Sequence, residues 1–146
     1  MISTTQQSAK SIHRLARFVT REAIALLLNL KPEQIYRVQC WRYVVHVVGK
    51  GISTFVSYAD LPPILGIEKP DLKDIQIWRK RWRKNRYQAP SFWATFYQHK
   101  FREAQSLTEM YRWGEIVAIV KFALAATAVK LLRNVYLEEK YYWENF

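Results

Sequence analysis

Cysteine, glycine, proline and acidic residues are all scarce in this chain of 146 residues. The single cysteine, Cys40, excludes an internal disulfide framework and any metal site built from several cysteines. With only 4 glycines and 5 prolines, collagen-like and linker-like chains are excluded as well. Acids number 12 against 23 lysines and arginines, which leaves a formal net charge of +11. That excess favours a partner of negative charge, either nucleic acid (DNA or RNA) or an acidic protein.

Residue patterns that carry catalytic chemistry are missing too. The sequence has no glycine-rich phosphate loop and no G-x-S-x-G nucleophile motif. Its 3 histidines, His13, His46 and His99, lie far apart, and no pair has the spacing of metal ligands on one helix. We therefore predict a protein that is not an enzyme and that uses no metal or other cofactor.

Apolar residues, by contrast, are plentiful. Hydrophobic residues make up 50% of the chain and aromatic residues 15%, including 6 tryptophans, which is enough to build a core and excludes wholesale disorder. The length suits a single domain over 1–146. We expect an α+β fold with an N-terminal helix, an antiparallel β-hairpin and then a mainly helical C-terminal half. The α-β-β part covers about 9–66 and the helical part about 70–146.

Local patterns place the individual elements within that fold. Lys31-Pro32 ends the first helix, and Gly49-Lys50-Gly51 forms the turn of the hairpin. Apolar side chains alternate onto both faces near 44–48, which predicts that this end of the sheet is covered on both sides. The predicted helices cover about 9–30, 70–85, 91–104 and 107–141, the last with a kink at Gly114, and the predicted strands cover about 35–48 and 52–58.

The strongest functional signal is a run of cations between Trp78 and Arg86. Six of these nine residues are basic and none is acidic, so their charges repel one another unless a partner neutralises them. The phosphate backbone requires several lysines and arginines on one surface, because phosphates that they neutralise release counterions. We therefore predict a nucleic-acid-binding protein that contacts the phosphate backbone here. The predicted ligands in this run are Arg79, Lys80, Arg81, Arg83, Lys84 and Arg86.

Four further cations extend the predicted surface. Arg14, Arg17 and Arg21 follow Lys10 at spacings of 4, 3 and 4, which place all of them on one face of a helix. Lys50 lies at the tip of the hairpin. The basic, acid-free start of the chain has two interpretations, a solvated helix face in a cytoplasmic protein or an organelle transit peptide.

A second class of function stays open, that of a small accessory or structural subunit in a larger protein or membrane complex. Residues 141–146 include four aromatics, which suit docking on a partner as well as packing on their own domain. The apolar run 116–132 has 17 residues, at the short limit for a bilayer span, and it contains Lys121. We expect a core helix of a soluble protein there, with a membrane span as the alternative. The oligomeric state is not specified by these patterns.

Overall fold

Five α-helices and a three-stranded antiparallel sheet make up the computed structural model, which describes residues 13–146. The helices are α1 (Arg21–Leu28), α2 (Leu72–Arg81), α3 (Phe92–Glu103), α4 (Leu107–Val120) and α5 (Ala126–Asn145). The strands are β1 (Ile35–Cys40), β2 (Val45–Gly49) and β3 (Ile52–Val56), in the spatial order β1-β2-β3. The predicted α+β class with a helical C-terminal half is confirmed.

The prediction of one continuous N-terminal helix is wrong. Residues 9–12 lie outside the described part of the chain, and the rest of the prediction divides into a 3-10 turn, Arg14–Phe18, and α1. Between them Val19 and Thr20 are extended, and the Thr20 hydroxyl accepts a hydrogen bond from the Ala23 N–H at 3.1 Å. Threonine in this position caps a new helix, so Arg17 and Arg21 do not lie on one continuous helical face. Lys10 lies outside the described residues.

The predicted long strand over 35–48 is two strands, β1 and β2, which pair with each other. Their connection spans 41–44, where the Trp41 N–H donates to the Val44 carbonyl at 2.9 Å. The predicted hairpin is present between β2 and β3. Its turn holds Gly51 at φ 70, a backbone conformation that glycine adopts without strain. The sheet therefore has three strands rather than two.

One face of this sheet packs on the core and the other is open. Val38, Val45 and Val47 project inward and are at most 2% exposed. On the outer face His46 pairs with Phe55 of the neighbouring strand, and Phe55 is 54% exposed. The expectation that this end of the sheet is covered on both sides is wrong, because the sheet is antiparallel and leaves one face to solvent.

The predicted helix over 107–141 is also two helices, α4 and α5, but it does not break at Gly114. A Cβ at Gly114 would lie 2.9 Å from Cε2 of Tyr136, so the glycine leaves room for a ring of α5 to pack against α4. The break comes at 121–125, where the Ala123 carbonyl accepts a hydrogen bond from the Ala89 N–H at 2.8 Å. No helix within residues 13–146 combines the length and the apolar character that a bilayer crossing requires.

Candidate nucleic-acid interface

Three tryptophans fix the C-terminal end of α2. Trp78 and Trp82 stack with ring centroids 6.0 Å apart, and Trp93 of α3 meets Trp82 edge-on at 5.0 Å. All three rings are buried, and the burial of Trp78 and Trp82 agrees with the apolar stripe of residues 72–82. The Trp93 indole N–H also donates to the Asp60 carbonyl at 3.0 Å. Because the tryptophan side of the helix is held in the core, the cations between and after these residues lie on its outer side.

The basic segment, defined as the six cations listed below, is exposed along its whole length. The helix ends at Arg81, a 3-10 turn covers Arg83–Asn85, and the Tyr87 N–H then closes the turn on the Trp82 carbonyl at 2.9 Å. Positive side chains are favourable at this end of a helix, where the backbone dipole is negative. The six cations are Arg79, Lys80, Arg81, Arg83, Lys84 and Arg86.

Little of this positive charge is neutralised by acids of the chain. The Arg81 guanidinium pairs with Asp60 at an N–O distance of 3.1 Å. The guanidinium of Arg79 lies 4.8 Å from the centroid of the Tyr87 ring, which holds the side chain without removing its charge. Apart from Arg81, the cations of the basic segment form no ion pair with any acid in the described residues.

A groove of about 570 Å³ runs beside the basic segment. Four of the six cations line it, namely Lys80, Arg81, Arg83 and Lys84. The other lining residues come from the N-terminal turn, the β1–β2 connection, the segment after β3, and α2: His13, Tyr43, Ser57, Tyr58, Ala59 and Ile77. The basic groove, as we call it, therefore brings cations together with aromatic rings and hydroxyl groups, the functional groups that bind phosphates and nucleobases.

His13 and Tyr58 form a stacked pair within the basic groove, with ring centroids 4.1 Å apart. Burial lowers the pKa of the His13 imidazole, an effect that the Asp74 carboxylate partly opposes. The His13 Nδ1 accepts a hydrogen bond from the Leu15 N–H at 3.0 Å, which also requires the unprotonated nitrogen. Burial likewise raises the pKa of the Tyr58 phenol, whose hydroxyl donates to the Trp41 carbonyl. The pair is thus a neutral aromatic contact, with the Tyr58 ring buried behind the half-buried His13.

Two of the arginines predicted as phosphate ligands lie elsewhere and are already neutralised. Arg17 is 5% exposed, and its Nη2 lies 2.5 Å from Oδ2 of Asp74, which is fully buried. Arg14 contacts the carboxylates of both Asp71 and Asp74, with its Nε 3.0 Å from the latter. The Arg17 guanidinium is bonded to a fully buried carboxylate, and Arg14 lies between that carboxylate and the partly exposed Asp71. Both guanidinium groups already have anionic partners within the chain, so Arg14 and Arg17 do not belong to the free cations of the candidate site.

The remaining predicted ligands are separate from the basic groove. Arg21 is half-buried at the start of α1, and Lys50 is exposed at the tip of the β2–β3 hairpin. Neither lines the groove. Lys50 therefore belongs to the candidate surface only as a peripheral cation at the far end of the sheet.

An aromatic cluster on the outer face of the sheet escaped the sequence analysis. Trp41 and His46 stack at 5.2 Å, and Phe55 lies 5.2 Å from Trp41 and 5.0 Å from His46, measured between ring centroids. In one continuous strand, residues 41 and 46 project to opposite faces. The connection at 41–44 reverses the chain and brings both to the same face. A turn at 41–44 would have predicted this arrangement, but the segment contains neither glycine nor proline, so the sequence gives no local sign of a turn there.

Comparison with known proteins gives no information on the function of this site, which is therefore interpreted from its geometry. The chain matches no family model, no curated protein and no solved structure. Within the part of the chain that the structure describes, no three His, Cys, Asp or Glu side chains are grouped as a metal site would need.

Proposed function

We propose that this protein binds nucleic acid, without catalysing a reaction, by holding the phosphate backbone in the basic groove. The observation that carries the proposal is the concentration of four exposed cations on one groove. Of these four, Arg81 alone has an acid partner among the described residues. Such a concentration of like charge is unfavourable until an anionic partner neutralises it, and a polyanion does so at several positions at once.

The expected salt dependence of the affinity follows from counterion release. Each phosphate that a lysine or arginine neutralises contributes a slope of about −0.9 on duplex DNA, or about −0.7 on single strands, to the logarithmic dependence of affinity on salt. Backbone contacts of this kind carry no sequence information. The proposal is therefore binding that is strong at low salt, weakens steeply as salt rises and depends little on sequence.

The test compares two triple variants that remove the same charge. The first removes three cations of the basic groove, Lys80→Ala, Arg83→Ala and Lys84→Ala. The control removes three exposed cations from three other helices, Arg102→Ala, Arg112→Ala and Lys130→Ala. Affinity for labelled DNA and RNA oligonucleotides is measured by fluorescence anisotropy at several salt concentrations.

We expect the groove variant to lose affinity on every sequence and to flatten the salt slope by roughly two units on single strands and nearly three on duplex DNA. The control should keep most of its affinity and of its salt slope. Equal losses of affinity in the two variants would mean that binding depends on the net charge of the protein and not on a defined site. An unchanged slope in the groove variant would show that these cations do not contact phosphate.

The alternative function, an accessory subunit that docks on another protein, is supported by a different observation. Near the end of α5 three aromatic side chains project into solvent: Tyr141 is 69% exposed, Tyr142 53% and Phe146 91%. Aromatic residues in this state are typical of interface anchors. If this alternative is right, the wild-type protein needs detergent or a partner to stay in solution, and the double substitution Tyr141→Ser with Tyr142→Ser relieves that need.

A further inference from the structure

The aromatic platform, defined as Trp41, His46 and Phe55, differs from the tryptophan cluster of the core in its exposure. Trp41 is 45% and Phe55 54% exposed, whereas Trp78 and Trp93 in the core are fully buried. Three rings within 5.2 Å of one another hold each other in place on the open face of the sheet. Exposed aromatic area of this kind costs free energy in water and is characteristic of binding surfaces.

The strands beneath the platform make it rigid. His46 pairs with Gln39 on one side and with Phe55 on the other, so two of the three rings stand on adjacent strands at one level of the sheet. The opposite face of the same strands is anchored in the core through Val45 and Val47. The His46 ring is further fixed by a contact of 3.2 Å between its Nε2 and the Ser53 hydroxyl. A rigid, preorganised surface binds a flat ligand at low entropic cost.

The β1–β2 connection links the platform to the basic groove, and the Tyr58 hydroxyl of the groove donates to the Trp41 carbonyl. Trp41 and Tyr43 belong to the same connection between β1 and β2, and Tyr43 lines the basic groove beside Lys80 and Lys84. Arg37 is exposed on the outer face of β1, two residues before Gln39. A ligand that contacts both features must therefore carry negative charge for the basic groove and a flat ring for the platform.

We infer that the platform stacks the unpaired bases of a single-stranded nucleic acid whose phosphates bind in the basic groove. This inference rests on the proposed function and narrows it, because a duplex keeps its bases stacked on each other and offers no free base face. Stacking on aromatic side chains tolerates every base, which agrees with a site that has no recognisable sequence-reading motif.

The experiment measures the affinity of the wild-type protein and of matched variants for fluorescently labelled dT15 and for a labelled duplex of 15 base pairs. The test variant is Trp41→Ala with Phe55→Ala. The control, Tyr141→Ala with Tyr142→Ala, removes two exposed rings from α5 instead. A third variant, Trp41→Phe, keeps a ring at the platform. Far-UV circular dichroism and thermal unfolding show whether each variant is folded.

We expect the wild-type protein to prefer dT15, and the platform variant to bind dT15 at least about tenfold more weakly with an unchanged salt slope. The control and Trp41→Phe should bind dT15 within a few-fold of the wild type. A folded platform variant that binds dT15 as tightly as the wild type would overturn the inference, and so would a preference of the wild type for duplex. Both results leave the proposed function standing. A wild-type protein that binds neither oligonucleotide at low salt would overturn the proposed function and this inference with it.

Discussion

Replacing Arg17 by methionine tests whether the N-terminal arginines are structural, as their surroundings indicate. The Arg17 guanidinium has five N–H donors and makes five hydrogen bonds. Two of these bonds go to the carboxylate of Asp74, 57 residues away, at 3.2 and 2.5 Å, and three go to backbone carbonyls. Methionine keeps the apolar stem of the side chain and removes every one of these donors.

The expected cost follows from what the substitution leaves behind. Asp74 stays fully buried with Arg14 as its only remaining cationic partner among the described residues. Breaking a buried ion pair by removing one partner costs about 3–5 kcal/mol. We expect the lower half of that range, because Arg14 and the Asp71 N–H still bond to the carboxylate. A loss of about 3 kcal/mol is a large part of the roughly 5–15 kcal/mol that stabilises a typical domain.

Urea unfolding followed by tryptophan fluorescence measures this change, with Arg81→Ala as the control. Arg81 also forms an ion pair, but its side chain is 53% exposed, so its loss should cost less than about 1 kcal/mol. Arg17→Met should leave the affinity for nucleic acid unchanged wherever the variant is folded. A variant that keeps its stability but loses affinity would refute the reasoning and return Arg17 to the binding surface.

Three further predictions concern stability. Burial holds the pKa of His13 below its ordinary value of 6.5, so the stability that the neutral ring contributes is complete above pH 6.5 and is lost as the pH falls through the lower folded pKa. Urea midpoints measured between about pH 7 and pH 5 should show this decline, and His13→Asn should flatten it. The Asp74 N–H and the Arg14 guanidinium lower the pKa of Asp71 from 3.8. The stability that the Asp71 carboxylate contributes is therefore present above pH 3.8 and is lost in stronger acid. The free energy of unfolding of Asp71→Asn should depend less on pH in that acidic range. Gly114→Val should lower stability by about 1–3 kcal/mol, because a Cβ meets the Tyr136 ring at 2.9 Å, whereas Ala118→Val, at an exposed position of the same helix, should change it little.

Features fixed by local pattern could be predicted from the sequence. The tryptophans of α2 follow a helical apolar stripe, and they are buried. The cations between them are exposed for the same reason. The Ser106 hydroxyl accepts a hydrogen bond from the Glu109 N–H at 3.1 Å, the local bond by which a serine caps the start of a helix.

Features fixed by partners distant in sequence could not be predicted. The cationic spacing of Arg14 and Arg17 suits a solvated helix face, yet both side chains pair with acids more than 50 residues away. The turn at 41–44 and the break at 121–125 contain no glycine or proline, so no local signal marks them. The position of the aromatic platform depends on the first of these turns, which is why the exposed face of the sheet was missed.

The central claim is that the basic groove binds phosphate, and the salt dependence of wild-type affinity tests it most directly. Anisotropy titrations of dT15 at four or five salt concentrations give the slope of log Kd against log salt. Four groove cations, each contributing about 0.7 on a single strand, predict a slope of roughly 3 with the tightest binding at low salt. Absence of binding at low salt, or binding whose affinity does not change with salt, would contradict the account.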